Sequence, residues 1–127
     1  MGVNIVASAC FPNKALAPQI AGRLHKMGAN LVRIYHYYNP WSGANGSIFD
    51  YSKGTRQLNL VTLDLLEYFI AQLKDNGIYV NINLNNSRAF QTKDGVAKAD
   101  SLQEFAKGLT SYVATFAART RYFYSFL

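Results

Sequence analysis

Residues 77–88 read GIYVNINLNNSR, and this stretch decides the fold. Apolar and polar residues alternate through it, which is typical of a β-strand with two different faces. The apolar positions are Ile78, Val80, Ile82 and Leu84, and the positions between them are Tyr79, Asn81, Asn83 and Asn85. The preceding Asp75-Asn76-Gly77 is typical of a helix end closed by a left-handed glycine. This order of helix, short turn and strand is that of a βα repeat.

Three asparagines share one face of this predicted strand. Strands of ordinary doubly wound parallel sheets are covered on both faces and are almost continuously apolar, so the asparagines need another explanation. The interior of a barrel with a polar upper end supplies one explanation, and an exposed edge strand with hydrated amides supplies another. The pattern alone leaves both explanations open.

The residues before this stretch predict two further strands and a helix. A short apolar run predicts a first strand at about Val3 to Ala7, and an amphipathic helix then begins at about Ala17 and is closed by Gly28. The apolar stripe of this helix consists of Leu16, Ile20, Leu24 and Met27. A second strand is predicted at residues 30–35, directly after the glycine.

The facing of the second strand follows from the same alternation of side chains. If Val32 and Ile34 pack on helices, their neighbours point to the opposite side of the sheet. Those neighbours are Leu31, Arg33 and Tyr35. We therefore expect Arg33 to lie on the same face as the asparagines of the third strand. The facing of the first strand is ambiguous.

Residues 36–59 are predicted to form a loop, because Pro40 and two glycine turns interrupt them. Structureless loops of this length are unusual in compact domains and are usually functional. Asn59 is a suitable N-cap for a helix that ends before Gly77. The inward stripe of that helix consists of Leu63, Leu66, Ile70 and Leu73. After Arg88, a second polar loop leads to a short predicted helix at 102–107.

Composition narrows the class of protein. The 127 residues suffice for one domain with its own core, and half of them are hydrophobic. A formal charge of +6 arises from 13 basic and 7 acidic residues, but the basic residues are spread along the chain, so we expect no nucleic-acid partner. No apolar run is long enough to span a membrane, and the N-terminus lacks the pattern of a secretory signal, so the location stays unknown.

A single cysteine, Cys10, excludes an internal disulfide framework and cannot alone build a thiolate metal site. We interpret it as a small buried hydrophobic residue. We expect no cofactor and no bound metal ion.

Two motifs together resemble a known family. GANLVRI at 28–34, followed by GIYVNINL at 77–84, resembles the N-terminal part of the cellulase-like glycoside hydrolases with a (β/α)8 barrel, of the family 5 type in clan A. The resemblance covers about residues 3–108 and leaves 109–127 as an atypical tail. It implies an α/β fold in which a single incomplete domain, residues 1–127, forms the first three βα units of a TIM barrel, with parallel strands in the order 1-2-3.

The resemblance also implies a carbohydrate partner and a set of site residues. In the family, the arginine of strand two projects into the barrel and supports the catalytic nucleophile, and Arg33 holds the matching place. The further substrate-binding candidates are His36, Trp41, Asn83, Asn85 and Arg88. Tyr37, Tyr38 and Trp41 could stack on sugar rings, and they could equally fold the loop onto the barrel rim.

The chain departs from the family in its acidic residues. The family frequently has an acid and a histidine at the end of strand three, where this chain has Asn83 and Asn85. The two catalytic carboxylates of the family lie on strands four and seven, and this sequence has neither strand and no Asn-Glu pair. We therefore expect no catalytic residue, and a fragment that is inactive alone and can self-associate through unpaired sheet edges. A non-catalytic carbohydrate-binding or structural α/β remnant is the alternative.

Overall fold

The computed structural model describes residues 1–39, 46–50 and 57–83. These residues form three strands and two α-helices in alternating order. The elements are β1 (Gly2–Val6), α1 (Ala17–Lys26), β2 (Leu31–Tyr35), α2 (Leu60–Asp75) and β3 (Tyr79–Ile82), with a short 3-10 helix at Ala7–Cys10. The fold of the described part is therefore α/β, as predicted.

The three strands form one parallel sheet in the order β1-β2-β3. Gly2 pairs with Leu31 and Leu31 pairs with Tyr79, and the remaining positions follow without a bulge. Strands that are neighbours in the sequence are therefore neighbours in the sheet. The predicted strand order and direction are confirmed.

Both helices pack on one face of the sheet. Val32 and Ile34 of β2 are fully buried in a single hydrophobic core that contains residues from both helices. Leu31 and Arg33 alternate with them and are exposed. The predicted facing of β2 is confirmed, and the face opposite the helices is called the open face below.

The first helix differs from its predicted packing. Leu16 and Met27, the outer members of the predicted stripe, are 44% and 61% exposed, because one precedes the helix and the other follows it. Ala17 and Ala21 are buried in their place. Their spacing of one turn puts two small side chains against the core, where the helix can approach closely. Ile20 and Leu24, the inner members of the stripe, are partly buried as predicted.

The second helix begins and ends as predicted. The Asn59 side chain accepts hydrogen bonds from the backbone N–H groups of Val61 (3.1 Å) and Thr62 (3.4 Å), which satisfies two of the free donors at the helix start. Gly77 has a φ of +71° and turns the chain toward β3. All four predicted stripe residues are buried, and Phe69 is buried with them.

The bounds of β1 differ by one residue from the prediction of 3–7. Ala7 has a φ of +53° and begins the short 3-10 helix, so the strand ends at Val6. The described parts of the predicted loop at 36–59 contain one isolated antiparallel bridge, between Phe49 and Leu58. This segment is tied to α2 by the Thr62 hydroxyl, which donates to the Ser47 carbonyl at 2.8 Å.

The segments after Asn83 lie outside the described residues. They include the predicted short helix at 102–107 and the atypical tail at 109–127. No helix in the described ranges has the length and apolar character needed to cross a bilayer.

Candidate functional site

The open face of the sheet carries its side chains in tiers, because parallel strands in register bring equivalent positions side by side. Nearest the amino ends of the strands, Leu31 lies next to Tyr79. The middle tier consists of Asn4, Arg33 and Asn81, one residue from each strand. Nearest the carboxyl ends, Val6 lies next to Tyr35. The face is therefore polar in its middle, apolar or aromatic toward the amino ends, and mixed toward the carboxyl ends, where Asn83 continues the third strand beside Tyr35.

Arg33 lies in the middle of this face, and its facing is the one that the sequence predicts. It is exposed, and its guanidinium carbon lies 5.6 Å from the centre of the Tyr35 ring, within the range of a cation–π contact. Within residues 1–39, 46–50 and 57–83 it forms no salt bridge. The described carboxylates lie on α2 or in the segment 46–50, and none belongs to a strand.

His36 follows β2 directly and has a φ of +58°. A non-glycine residue in this region costs on the order of 1–2 kcal/mol, so the surrounding contacts must hold the backbone there. The amide nitrogen of the buried Asn39 lies 2.7 Å from Nδ1 of the His36 ring. An amide nitrogen can only donate, so this hydrogen bond forms when Nδ1 carries no proton.

The His36 ring also lies against the Tyr35 ring, with centroids 4.8 Å apart. Tyr35 therefore contacts both the guanidinium of Arg33 and the imidazole of His36. This chain of ring contacts connects the middle tier of the open face to the carboxyl end of β2.

Asn83 lies at the same end of the sheet. Its backbone N–H donates to the carbonyl of Ile34 at 2.9 Å, so the pairing of β2 with the third strand extends one residue beyond Ile82. Asn83 is half-buried. Three other candidates, Trp41, Asn85 and Arg88, lie outside the described residues.

The aromatic residues at the start of the loop are structural. Tyr37 and Tyr38 are buried in the hydrophobic core, where their rings meet edge to face at 5.0 Å. Buried rings cannot stack on a ligand in solution. Tyr37 and Tyr38 therefore pack in the core and do not present their rings for sugar stacking.

Cys10 is a buried thiol, as predicted, and lies in the core. Its sulfur lies 3.5 Å from the Ile5 carbonyl oxygen and 3.9 Å from that of Tyr35. Burial raises the pKa of the Cys10 thiol to about 12, and the hydrogen bond to the Tyr35 carbonyl offsets part of this rise. The thiol is therefore protonated and unreactive at neutral pH.

Sequence reasoning missed Asn4 and Asn39. The apolar run that contains Asn4 does not alternate clearly, so its facing emerges only from the pairing of β1 with β2. Asn39 lies three residues after His36, and that spacing in a turn was an available signal for a side-chain contact. No group of three His, Cys, Asp or Glu residues in the described ranges is placed to hold a metal ion.

Comparisons of the chain with protein families, with curated proteins and with solved structures found no match. The geometry of the open face and the two sequence motifs are therefore the features that bear on function.

Proposed function

We propose that this chain provides the first three βα units of a cellulase-like glycoside hydrolase with a (β/α)8 barrel. The observation that carries the proposal is the position of Arg33, in the middle of a parallel sheet and on the face opposite the helices. When a sheet of this kind closes into a barrel, the face opposite the helices becomes the interior. Arg33 would then point into the barrel, as the arginine of strand two does in the family.

The substrate in this proposal is a poly- or oligosaccharide whose O-glycosidic bonds are cleaved by two carboxylates. A guanidinium suits the support of the nucleophile, because its planar fork can hold a carboxylate ionised and oriented. Asn83, with Asn85 and Arg88 by resemblance, would hydrogen-bond sugar hydroxyls at the carboxyl ends of the strands, where barrel enzymes build their sites. His36 and Trp41 complete the proposed binding set.

Alone, the chain is proposed to be inactive. Cleavage needs one carboxylic acid to protonate the leaving oxygen and a second carboxylate to attack the anomeric carbon, about 5 to 5.5 Å apart in retaining enzymes. The described strands β1 to β3 carry no acidic residue. Amides and a guanidinium can bind and orient a sugar but cannot replace either carboxylate.

The proposal is tested first by activity. We would express residues 1–127 and assay β-glucosides, β-mannosides and β-galactosides, with the expectation of no turnover. Arg33→Ala is compared with Arg23→Ala, which removes an exposed positive charge from α1, on the other side of the sheet from Arg33. The expected inactivity would be contradicted by turnover that remains after purification, is lost in Arg33→Ala and is retained in Arg23→Ala.

The nucleotide sequence beyond the Leu127 codon provides the second test. We expect it to encode, in the same or a shifted frame, a helix and then a strand with an Asn-Glu pair. If no frame encodes these elements, the glycoside hydrolase proposal is wrong.

A non-catalytic carbohydrate-binding or structural α/β domain is the second candidate. The absence of acidic residues from the described strands favours it, because binding needs no carboxylate pair. Binding of cello- or manno-oligosaccharides by the chain, combined with no downstream Asn-Glu strand, would select the binding function.

Self-association belongs to the same proposal. Among the described strands, β1 and β3 each pair on one side only, and unpaired strand edges recruit other chains. Size-exclusion chromatography across a range of protein concentrations is expected to show oligomers, and a sharp monomer peak throughout would contradict this.

A further inference from the structure

The His36 ring at the carboxyl end of β2 is held by two side chains. Its Nδ1 lies 2.7 Å from the amide nitrogen of Asn39, and the ring lies against that of Tyr35, with centroids 4.8 Å apart. The backbone closes the same turn, because the Asn39 N–H donates to the His36 carbonyl at 3.4 Å. A hydrogen bond and a ring contact on the same imidazole together restrict its rotation.

Asn39 is itself fixed by burial. Its exposed fraction is 3%, and the two residues before it, Tyr37 and Tyr38, are buried in the core. The Tyr37 carbonyl accepts a hydrogen bond from the backbone N–H of Ile48 at 2.9 Å, which ties the turn to the next described segment. Buried amides need hydrogen-bond partners, and Nδ1 of the His36 ring supplies one. The amide therefore acts on the ring from a fixed position.

The direction of this hydrogen bond determines what the rest of the ring can do. A neutral imidazole that accepts at Nδ1 carries its proton on Nε2. The Nδ1 lone pair is then engaged by the amide, and Nε2 has an N–H group in place of a lone pair. Such a ring can donate a hydrogen bond through Nε2, but it cannot take a proton from a substrate as a general base.

We propose that Asn39 is a positioning residue, which holds His36 as a hydrogen-bond donor through Nε2–H. The identity of the ligand rests on the proposed function: the acceptor is an oxygen of the saccharide at the carboxyl ends of the strands. In this role His36 binds and orients the sugar and does not move its protons.

The states of the ring nitrogens test the role of Asn39 on the whole chain without a ligand. At pH 8, where imidazole side chains are ordinarily neutral, nitrogen NMR distinguishes a ring nitrogen that carries a proton from one that does not. The chain has two histidines, so the variant His25→Asn assigns the signals. We expect an unprotonated Nδ1 in His36, with a scalar coupling to Nδ2 of Asn39 through the hydrogen bond.

The opposite orientation of the amide gives the opposite result. Rotation of the Asn39 side chain by half a turn would bring its oxygen to Nδ1 of His36, and that contact requires a proton on Nδ1. A protonated Nδ1 in the unchanged chain would therefore overturn the proposal.

Replacing the amide by an acceptor is expected to reverse the ring. Asn39→Asp introduces a carboxylate, which can only accept, so Nδ1 of His36 is expected to carry a proton. Asn13→Asp makes the same change at an exposed position, where the side-chain oxygen that accepts from the Leu16 N–H at 2.8 Å is retained. This control is expected to leave Nδ1 unprotonated. Thermal unfolding checks the fold of each variant, and an unprotonated Nδ1 in folded Asn39→Asp would contradict the role of Asn39.

Titration with cellotetraose and mannotetraose tests the donor role. A sugar oxygen that accepts from Nε2–H is expected to shift the Nε2 signal of His36 while Nδ1 stays unprotonated. His36→Asn removes the imidazole and keeps a residue that tolerates the φ of +58°. It is expected to weaken sugar binding about two- to tenfold, the range for one hydrogen bond. His25→Asn, which removes the exposed imidazole of α1, is the matched control and is expected to bind the sugar unchanged.

The failure of this inference differs from the failure of the proposed function. If a sugar shifts the amide signals of Arg33 and Asn83 but not the Nε2 signal of His36, the donor role is wrong. If neither sugar shifts any signal, the ligand named here is wrong and the carbohydrate partner loses its support. The expected ring states and the Nε2 shift, found together with no downstream Asn-Glu strand, would retain the role of Asn39 and reject the glycoside hydrolase.

Discussion

The two faces of the sheet are built from alternate residues of the same strands but have opposite properties. On the helix-covered face Val32 and Ile34 are fully buried, whereas Leu31 and Arg33 on the open face are exposed. Full burial of a large aliphatic side chain contributes about 1.5–3 kcal/mol to stability, and the exposed face gains little of this. One face therefore stabilises the fold, and the other can change its side chains at little cost in stability.

The largest expected difference between the faces comes from truncating one apolar residue on each. Ile34→Ala removes a fully buried side chain from the core and is expected to lower the free energy of unfolding by about 2–5 kcal/mol. Leu31→Ala, on the open face, is expected to cost less than about 1 kcal/mol. Urea unfolding of the two variants measures both values, and equal costs would show that the open face is covered in solution.

A second expected effect concerns the alkaline stability provided by the buried side. Because burial raises the pKa of Cys10 from 9.0 to about 12, the folded protein keeps this proton in a pH range in which the unfolded chain releases it. The free energy of unfolding then falls as the pH rises above 9.0, by about 1.4 kcal/mol per pH unit. The Cys10 thiol makes its full contribution to the free energy of unfolding only below pH 9.0.

The variant Cys10→Ala isolates this contribution from the titration of tyrosines and lysines. Unfolding of both proteins by urea at pH 8 and pH 10 is expected to show an additional loss of about 1.4 kcal/mol in the protein with the thiol. Parallel pH dependence of the two proteins would mean that the thiol is accessible to water.

The smallest expected effect concerns the turn that leads into β3. Gly77 has a φ of +71°, and no atom lies within 4 Å of an added Cβ, so Gly77→Ala introduces backbone strain without a clash. We expect a loss of about 1 kcal/mol. Gly22 lies inside α1, where an added Cβ would meet only the Asn76 side chain at 3.9 Å.

Gly22→Ala is therefore the matched control with the opposite sign, and a gain of about 0.5–1 kcal/mol is expected. Thermal unfolding of the two variants compares them directly. A gain in both would show that the turn before β3 does not need the left-handed conformation.

Local patterns were sufficient to predict most of the architecture. The strand alternation that begins at Gly77, the cap at Asn59 and the glycine at Gly77 depend on interactions within a few residues. These predictions are confirmed as far as Ile82, where the described strand ends. The stripe of α1 was predicted only in part, because the position of Ala17 and Ala21 against the core depends on how α1 meets α2.

The candidate site was predictable only where it follows from strand alternation. Arg33 was placed correctly for this reason. Asn4 was missed because its neighbour in the sheet is distant in the sequence, and register is a property of the paired strands. The contact of Asn39 with His36 forms in a turn whose backbone is set by tertiary packing, since His36 has a φ of +58°. Such conformations are not encoded by periodicity.

The order of the strands also has a kinetic consequence. Each new strand pairs with the strand before it in the sequence. The strands therefore leave the ribosome in the same order in which they are added to the sheet. β1 and β2 can pair once α1 and β2 have emerged, before α2 has emerged. Among β1 to β3, no strand has to be inserted between two that have already paired. Folding of this region during translation therefore requires no strand exchange, and each βα unit provides the template for the next.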